Sequence, residues 1–147
     1  MASIFLEVTV RAPAERVWKR LTAIGEADKL FAGVLSDCRL EREDLRVVTF
    51  ANGLVVKEQI VDIDPARMRI VYTARESPLE HHSASMQVGA IGKDTCRFTW
   101  ITDVLPHEAA DGIRSLMEEG AAALKASVES GGQGVASPTR PTSAGGG

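Results

Sequence analysis

The spacing of apolar residues changes twice along the chain and divides it into three parts. IFLEVTV, near the start, alternates apolar and polar residues, which predicts a strand with one buried face. RAPAERVWKRLTAIG follows with apolar residues at helical spacing, and Pro13 suits the first turn of a helix while Gly25 suits its end. A second short helix is predicted from Glu26 to Phe31.

From Val34 onward the apolar residues again recur at every second position, between regular turn signals. The turn signals are ERED at Glu41–Asp44, Asn52-Gly53, Asp64-Pro65 and Gly92–Asp94. They separate about five strands, and a long amphipathic helix is predicted from His107 to Val128. These elements predict an α+β fold with a curved antiparallel sheet of about six to seven strands. Two short helices follow the first strand, and the long C-terminal helix covers one sheet face.

The two adjacent histidines, His81 and His82, are predicted to point to opposite sides of one strand. In EHHSASMQV one parity is largely apolar, so His82 should face inward and His81 should face water. A metal site shared by this pair is sterically poor, and only His107 remains as a third imidazole, so no metal is predicted. Two interpretations of His82 stay open: a proton carrier or hydrogen-bond donor in a cavity, and a core histidine bonded to a neighbour.

Two further strands have a clear inner face, whereas two others do not. RMRIVYTAR and TCRFTWITDV each carry one mostly apolar parity. In LRVVTFAN and LVVKEQIVDID, parity alone does not choose between the face with Arg46 or Glu58 and the opposite face. The inner residues predicted from the three clear strands are Met68, Ile70, Tyr72, Ala74, His82, Ala84, Met86, Val88, Cys96, Phe98, Trp100 and Val104.

Composition limits the partners and the location of the protein. The 147 residues are 44% hydrophobic and carry a net charge of −3 without a dense Lys/Arg run, so nucleic acid is not an expected partner. No signal peptide or membrane-spanning apolar stretch is found, which predicts a cytoplasmic protein without membrane insertion. Cys38 and Cys96 lack the spacing of a redox or metal motif and are predicted to be small core residues. One domain is predicted over residues 1–130, followed by a disordered Gly/Ser/Pro-rich tail at 131–147.

Motifs for two common kinds of chemistry are missing from the sequence. There is no G-x-S-x-G nucleophile motif, and the serines Ser77, Ser83 and Ser85 fall in a loop or on the outer face. No G-x-G-x-x-G opens a helix, so a nucleotide cofactor would lack its phosphate cradle. We therefore expect no cofactor.

The order of the elements, together with several local patterns, resembles the START/polyketide cyclase superfamily (SRPBCC). The pieces that carry the resemblance are VTVRAPAERVWKRLT, NGLVVKEQIVDIDPARMRIVYT, SPLEHHSASMQV and TCRFTWITDVLP, in that order, and the match spans Ile4 to Val128. The chain is most similar to the bacterial polyketide cyclase/dehydrase-like branch. The resemblance implies a helix-grip fold with an internal cavity between the sheet and the C-terminal helix.

The resemblance also implies which residues face that cavity. Family members often carry an arginine before the glycine hairpin and a glutamate after it, and here Arg46 and Glu58 occupy those positions. Leu30-Phe31 stands where a tryptophan is frequent in the family. The ligand-binding residues expected on this basis are Arg46, Val48, Phe50, Glu58, Tyr72, His82, Ala84, Met86, Phe98, Trp100, Ile113, Met117, Gly120, Ala121 and Leu124.

Three functional hypotheses follow. The first is binding of a small hydrophobic molecule, lipid or polyketide-like, by a monomer or homodimer; its alternative is a cofactor-independent cyclase or dehydratase with Glu58, His82 and Arg46 as candidate catalytic residues. The third is an interaction module that uses its surface and has a filled interior. Arg46 and Glu58 either pair with each other, which makes them structural, or meet water and ligand, because stranding one buried charge costs roughly 3–5 kcal/mol.

Overall fold

Strands and helices account for most of residues 2–131, the part of the chain that this computed structural model describes. The strands are β1 (Ala2–Val10), β2 (Leu35–Arg42), β3 (Leu45–Phe50), β4 (Val55–Asp64), β5 (Arg69–Arg75), β6 (His81–Gly92) and β7 (Thr95–Leu105). The helices are α1 (Ala14–Thr22), α2 (Ala27–Leu30) and α3 (Ala110–Gly131), with 3-10 turns at Ile24–Glu26 and His107–Ala109.

The strands form one antiparallel sheet in the order β1-β7-β6-β5-β4-β3-β2. Helix α3 lies against the concave face, where Met117, Ala121, Leu124 and Val128 follow helical spacing and are buried in the core. The predicted α+β helix-grip fold, with a seven-stranded sheet around a long C-terminal helix and short helices after β1, is confirmed. No helix within residues 2–131 has the length and apolar character needed to cross a membrane.

The ends of the helices differ from the prediction. Helix α1 ends at Thr22 because Ala23 leaves helical geometry, and Gly25 then lies in a 3-10 turn. Ile24 remains buried in that turn, so the apolar spacing continues after the helix has stopped. His107 also belongs to a 3-10 turn, and α3 begins at Ala110.

The predicted tail falls almost wholly outside the described residues. Its first residue, Gly131, is the last residue of α3. The rest of the proposed tail, residues 132–147, is not described, so the predicted domain boundary stays a prediction.

Two hairpins lie where the turn residues in the sequence predicted them. Gly53 has φ of +93°, the left-handed region that favours glycine, and the backbone N–H of Leu54 donates to Asn52 Oδ1 at 3.0 Å. The other hairpin joins β6 to β7 directly after Gly92. The first of these turns brings Phe50 and Leu54 to one end of the sheet, next to the cavity described below.

The inner face of the sheet follows the predicted parities. His81 is exposed, whereas His82 is partly buried, and Tyr72 and Trp100 lie in the core. On β3 the face with Arg46 and Val48 is the inner one, which parity alone could not decide, although Val47 on the outer face is buried as well.

Candidate functional site

A cavity of about 180 Å³ lies between the concave sheet face, α3 and the loops at one end of the sheet. Its wall is mainly apolar and aromatic, as in small-molecule sites. Exposed Leu54 and Pro78 belong to the lining, so the cavity reaches the surface between the β3–β4 hairpin and the β5–β6 loop. The filled interior expected of an interaction module is therefore not what the structure shows.

Most of the residues expected in the site do lie on the cavity wall. These are Arg46, Phe50, Glu58, Tyr72, His82, Met86, Trp100, Ile113, Met117 and Gly120. Five others face inward but lie in the hydrophobic core instead of on the wall: Val48, Ala84, Phe98, Ala121 and Leu124. Their placement differs from the expectation because strand parity assigns a face and does not say which part of the interior is filled.

Several wall residues were not expected. Ala74 was predicted to face inward but not to line the site, and Val56 and Thr102 lie on the inner parity of β4 and β7, so the alternation could have found them as well. Phe31 lies directly after α2, and Leu79 lies in the β5–β6 loop. No local signal in the sequence indicates that such connecting segments reach the cavity. The remaining unexpected wall residues are Ala27, Val34, Leu35, Leu54, Ser77, Pro78 and Leu116.

Arg46 and Glu58 form an ion pair in the cavity wall. They stand directly opposite each other on β3 and β4, and Arg46 Nε donates to Glu58 Oε1 at 2.8 Å. The side chains are only 7% and 13% exposed. Of the two readings left open by the sequence, the structure shows the pair.

The guanidinium of Arg46 is engaged on other sides as well. Its Nη1 donates to the Ile24 carbonyl at 3.4 Å, and its Cζ lies 5.4 Å from the centre of the Tyr72 ring. Burial disfavours its charge, but Glu58 and Tyr72 keep the pKa of Arg46 above its ordinary value. Arg46 is thus a charge that Glu58 already compensates.

His82 is fixed by a hydrogen bond from the neighbouring strand. Its Nδ1 accepts from the backbone N–H of Ala74 at 3.0 Å, and Thr73 Oγ1 donates to the His82 carbonyl. The regular pairing of β5 with β6 stops at Tyr72 and Ala84, so the imidazole extends the contact between the strands beyond the last pair. Burial lowers the pKa of His82, although Glu58 opposes this shift, so the imidazole is neutral at neutral pH.

Aromatic side chains form the inner end of the cavity. Trp100 lies 5.7 Å from Phe31 and 6.0 Å from Phe98 between ring centres, and Tyr72 lies 5.7 Å from His82. Burial raises the pKa of the Tyr72 hydroxyl above its ordinary value, so it stays protonated. Trp100 lies near this hydroxyl, but its buried Nε1–H has no hydrogen-bond partner among the described residues.

The chain matches a known protein family over most of its length. Residues 1–129 match the family described as polyketide cyclase / dehydrase and lipid transport. The chain belongs to this polyketide cyclase family. The match covers the whole sheet and nearly all of α3, and it confirms the resemblance found in the sequence. No curated protein matches the chain.

Solved structures with the same fold come from several kinds of protein. A START superfamily protein from Mycobacterium smegmatis is 17% identical, with a TM-score of 0.72 over 87% of this chain and 97% of that one. Truncated norcoclaurine synthase from Thalictrum flavum is 19% identical, with a TM-score of 0.68 over 87% and 91%. The di-domain ARO/CYC BexL of the BE-7585A biosynthetic pathway is 18% identical, with a TM-score of 0.75 over 90% and 48%. At these identities the likeness shows the fold alone.

Proposed function

We propose that the protein binds a small hydrophobic molecule in the cavity. The observation that carries this proposal is the cavity itself, about 180 Å³ in volume and walled mainly by apolar and aromatic side chains. Apolar cavities of roughly 150 Å³ take up a benzene-sized molecule. The family description, which includes lipid transport, supports the same function.

Methyl NMR with a small aromatic probe tests the binding function. Acetophenone should shift the methyl signals of Met86, Met117 and Ile113, which line the cavity, and native mass spectrometry should detect any molecule that co-purifies. Ala74→Leu adds carbons to the wall and should abolish the shifts. Ala90→Leu makes the same change at an exposed position of β6 and should leave them intact. Shifts that are absent in the wild type, or that persist in Ala74→Leu, would contradict binding in this cavity.

A cofactor-independent cyclase or dehydratase is the second candidate. The observation that favours it is that Glu58, Tyr72 and His82 lie on the same wall as the apolar residues. Such chemistry needs a base beside an enolisable carbon and a donor for the oxygen that gains charge. Oε1 of Glu58 accepts a hydrogen bond from Arg46 and Nδ1 of His82 accepts one from Ala74, so the second carboxylate oxygen of Glu58 would be the base.

Exchange of the acetophenone methyl protons with D₂O tests the base directly. Glu58 would take a proton from the methyl carbon, the enolate oxygen would accept a hydrogen bond, and a deuteron would return from solvent. We expect exchange at least tenfold above buffer, since a positioned base contributes roughly 10²–10⁴-fold. Glu58→Gln should abolish the excess, and Asp44→Asn, which removes an exposed carboxylate, should retain it. Exchange at the buffer rate with the wild-type protein would contradict the cyclase or dehydratase function but not the binding function.

A further inference from the structure

The hydrogen bond between Ala74 and His82 fixes where the imidazole carries its proton. A ring nitrogen that accepts a hydrogen bond carries no proton, so the neutral ring has its proton on Nε2. The remaining hydrogen-bonding group of His82 is therefore a donor. Nε2 has no hydrogen-bond partner within residues 2–131, and His82 is part of the cavity wall. The groups that act on its charge are Glu58 from β4 and His81 from its own strand.

The charges in the wall already cancel. Within the described part of the chain, Arg46 is the only lysine or arginine that lines the cavity, and Glu58 is the only carboxylate. Their contact of 2.8 Å, with both side chains almost fully buried, leaves no unpaired cation for a ligand anion. A bound carboxylate would have to lose its hydration and would also meet Glu58, an unfavourable arrangement in a site with little water.

The polar groups at the aromatic end of the cavity are uncharged. The Nε1–H of Trp100 is buried and unpartnered among the described residues, and the nearby hydroxyl of Tyr72 keeps its proton. The indole N–H has almost no accessible surface, so among these groups the donor without a partner that a ligand can reach is Nε2–H of His82. Among the described residues, the aromatic end therefore adds no charged group to the cavity wall.

We propose that His82 selects the ligand, and that the cavity takes an uncharged molecule whose carbonyl or similar oxygen accepts a hydrogen bond from Nε2–H, in preference to a carboxylate. This inference rests on the proposed binding function and narrows it to one class of ligand. His82 acts here as a specificity-determining donor.

Three probes of nearly the same shape separate the possible ligand classes. Acetophenone carries a carbonyl, α-methylstyrene replaces that oxygen with a CH₂ group, and benzoate replaces the methyl ketone with a carboxylate. At pH 7.5 we expect acetophenone to bind roughly two- to tenfold more tightly than α-methylstyrene, the factor that one net hydrogen bond supplies. Benzoate should bind at least roughly tenfold more weakly than acetophenone.

Two substitutions at His82 separate ligand selection from a purely structural role. His82→Asn places an acceptor near Ala74 N–H but removes the donor at Nε2, so the preference for acetophenone over α-methylstyrene should fall to about one. His82→Gln places an amide donor near the position of Nε2 and should keep the preference. His81→Asn is the exposed control and should match the wild type.

Each outcome of the probe experiment supports or overturns the inference. A preference that is present in the wild type and His82→Gln but lost in His82→Asn supports it. Equal binding of acetophenone and α-methylstyrene, tightest binding of benzoate, or an unchanged preference in His82→Asn would overturn the inference while leaving hydrophobic binding intact. If none of the three probes shifts the cavity methyl signals, the proposed binding function fails and this inference fails with it.

Discussion

A β-carbon on Gly120 would lie 2.9 Å from Cζ3 and 3.0 Å from Cη2 of Trp100. Real β-carbons do not approach other atoms this closely, so the absence of a side chain at Gly120 lets α3 lie directly on the indole. Trp100 in turn lines the cavity, and Gly120 belongs to the same wall. The contact between these two residues therefore sets the distance between helix and sheet at the inner end of the cavity.

Gly120→Ala should disturb both stability and binding. The added methyl group must push the indole or α3 aside, and such overpacking costs roughly 1–3 kcal/mol in unfolding free energy. Gly112→Ala is the matched control, because it lies in the same helix with nothing within 4 Å of the added carbon. This control variant should be as stable as the wild type, or more stable by up to about 1 kcal/mol. Urea unfolding and acetophenone titration measure both effects, and equal behaviour of the two variants would contradict the role of the Gly120 contact.

The buried ion pair should respond differently to single and double substitution. Glu58→Gln leaves Arg46 buried without its counter-charge and should lower the unfolding free energy by roughly 3–5 kcal/mol. The combination of Arg46→Met with Glu58→Leu removes both charges, and its unfolding free energy should equal or exceed that of the wild type. Asp44→Asn breaks the exposed pair with Arg42 and should leave the unfolding free energy close to that of the wild type, because exposed ion pairs contribute little. A double variant that is less stable than Glu58→Gln would contradict this account.

Much of the fold was predictable because its signals are local. The switch of apolar spacing after the first helix, together with turns such as Asn52-Gly53, indicates a meander of strands before one long helix. Parity correctly sent His81 and His82 to opposite faces. The end of α1 was less predictable, since Ile24 continues the apolar spacing after the helix has stopped.

The cavity itself was only partly predictable, because its extent depends on contacts between distant segments. Phe98 and Trp100 share one parity of β7, yet only Trp100 reaches the wall while Phe98 lies in the core. The bond from Ala74 to His82 likewise depends on where the pairing of β5 and β6 ends. Neither fact follows from the spacing of residues within one strand.

The partly buried His82 predicts a loss of stability on mild acidification. Because its pKa in the folded protein lies below the ordinary 6.5, the unfolded chain binds more protons in the interval between the two values. The contribution of neutral His82 to the unfolding free energy is therefore fully present above pH 6.5, and it is lost as the pH falls through the pKa of His82 in the folded protein. Glu58 faces the ring and moderates the shift, while His81 adds to it.

Urea unfolding between pH 7.5 and 5.5 measures this contribution. The wild type should lose stability over the interval, and His82→Asn, which has no group that titrates there, should lose less. His81→Asn should lose nearly as much stability as the wild type, because His81 is exposed and burial is the larger cause of the lowered pKa of His82. An identical decline in the wild type and in His82→Asn would show that other groups cause the pH dependence.

Trp100 should report the presence of a ligand, whereas Trp18 should not. The chain has two tryptophans: Trp100 lines the cavity, and Trp18 lies on α1 away from it. In ¹H–¹⁵N spectra, acetophenone should move the indole N–H signal of Trp100, because that buried group has no partner among the described residues and lies at the aromatic end of the cavity. Trp18→Phe assigns the two signals and should preserve the shift. Movement of the Trp18 signal alone would place the probe outside this cavity.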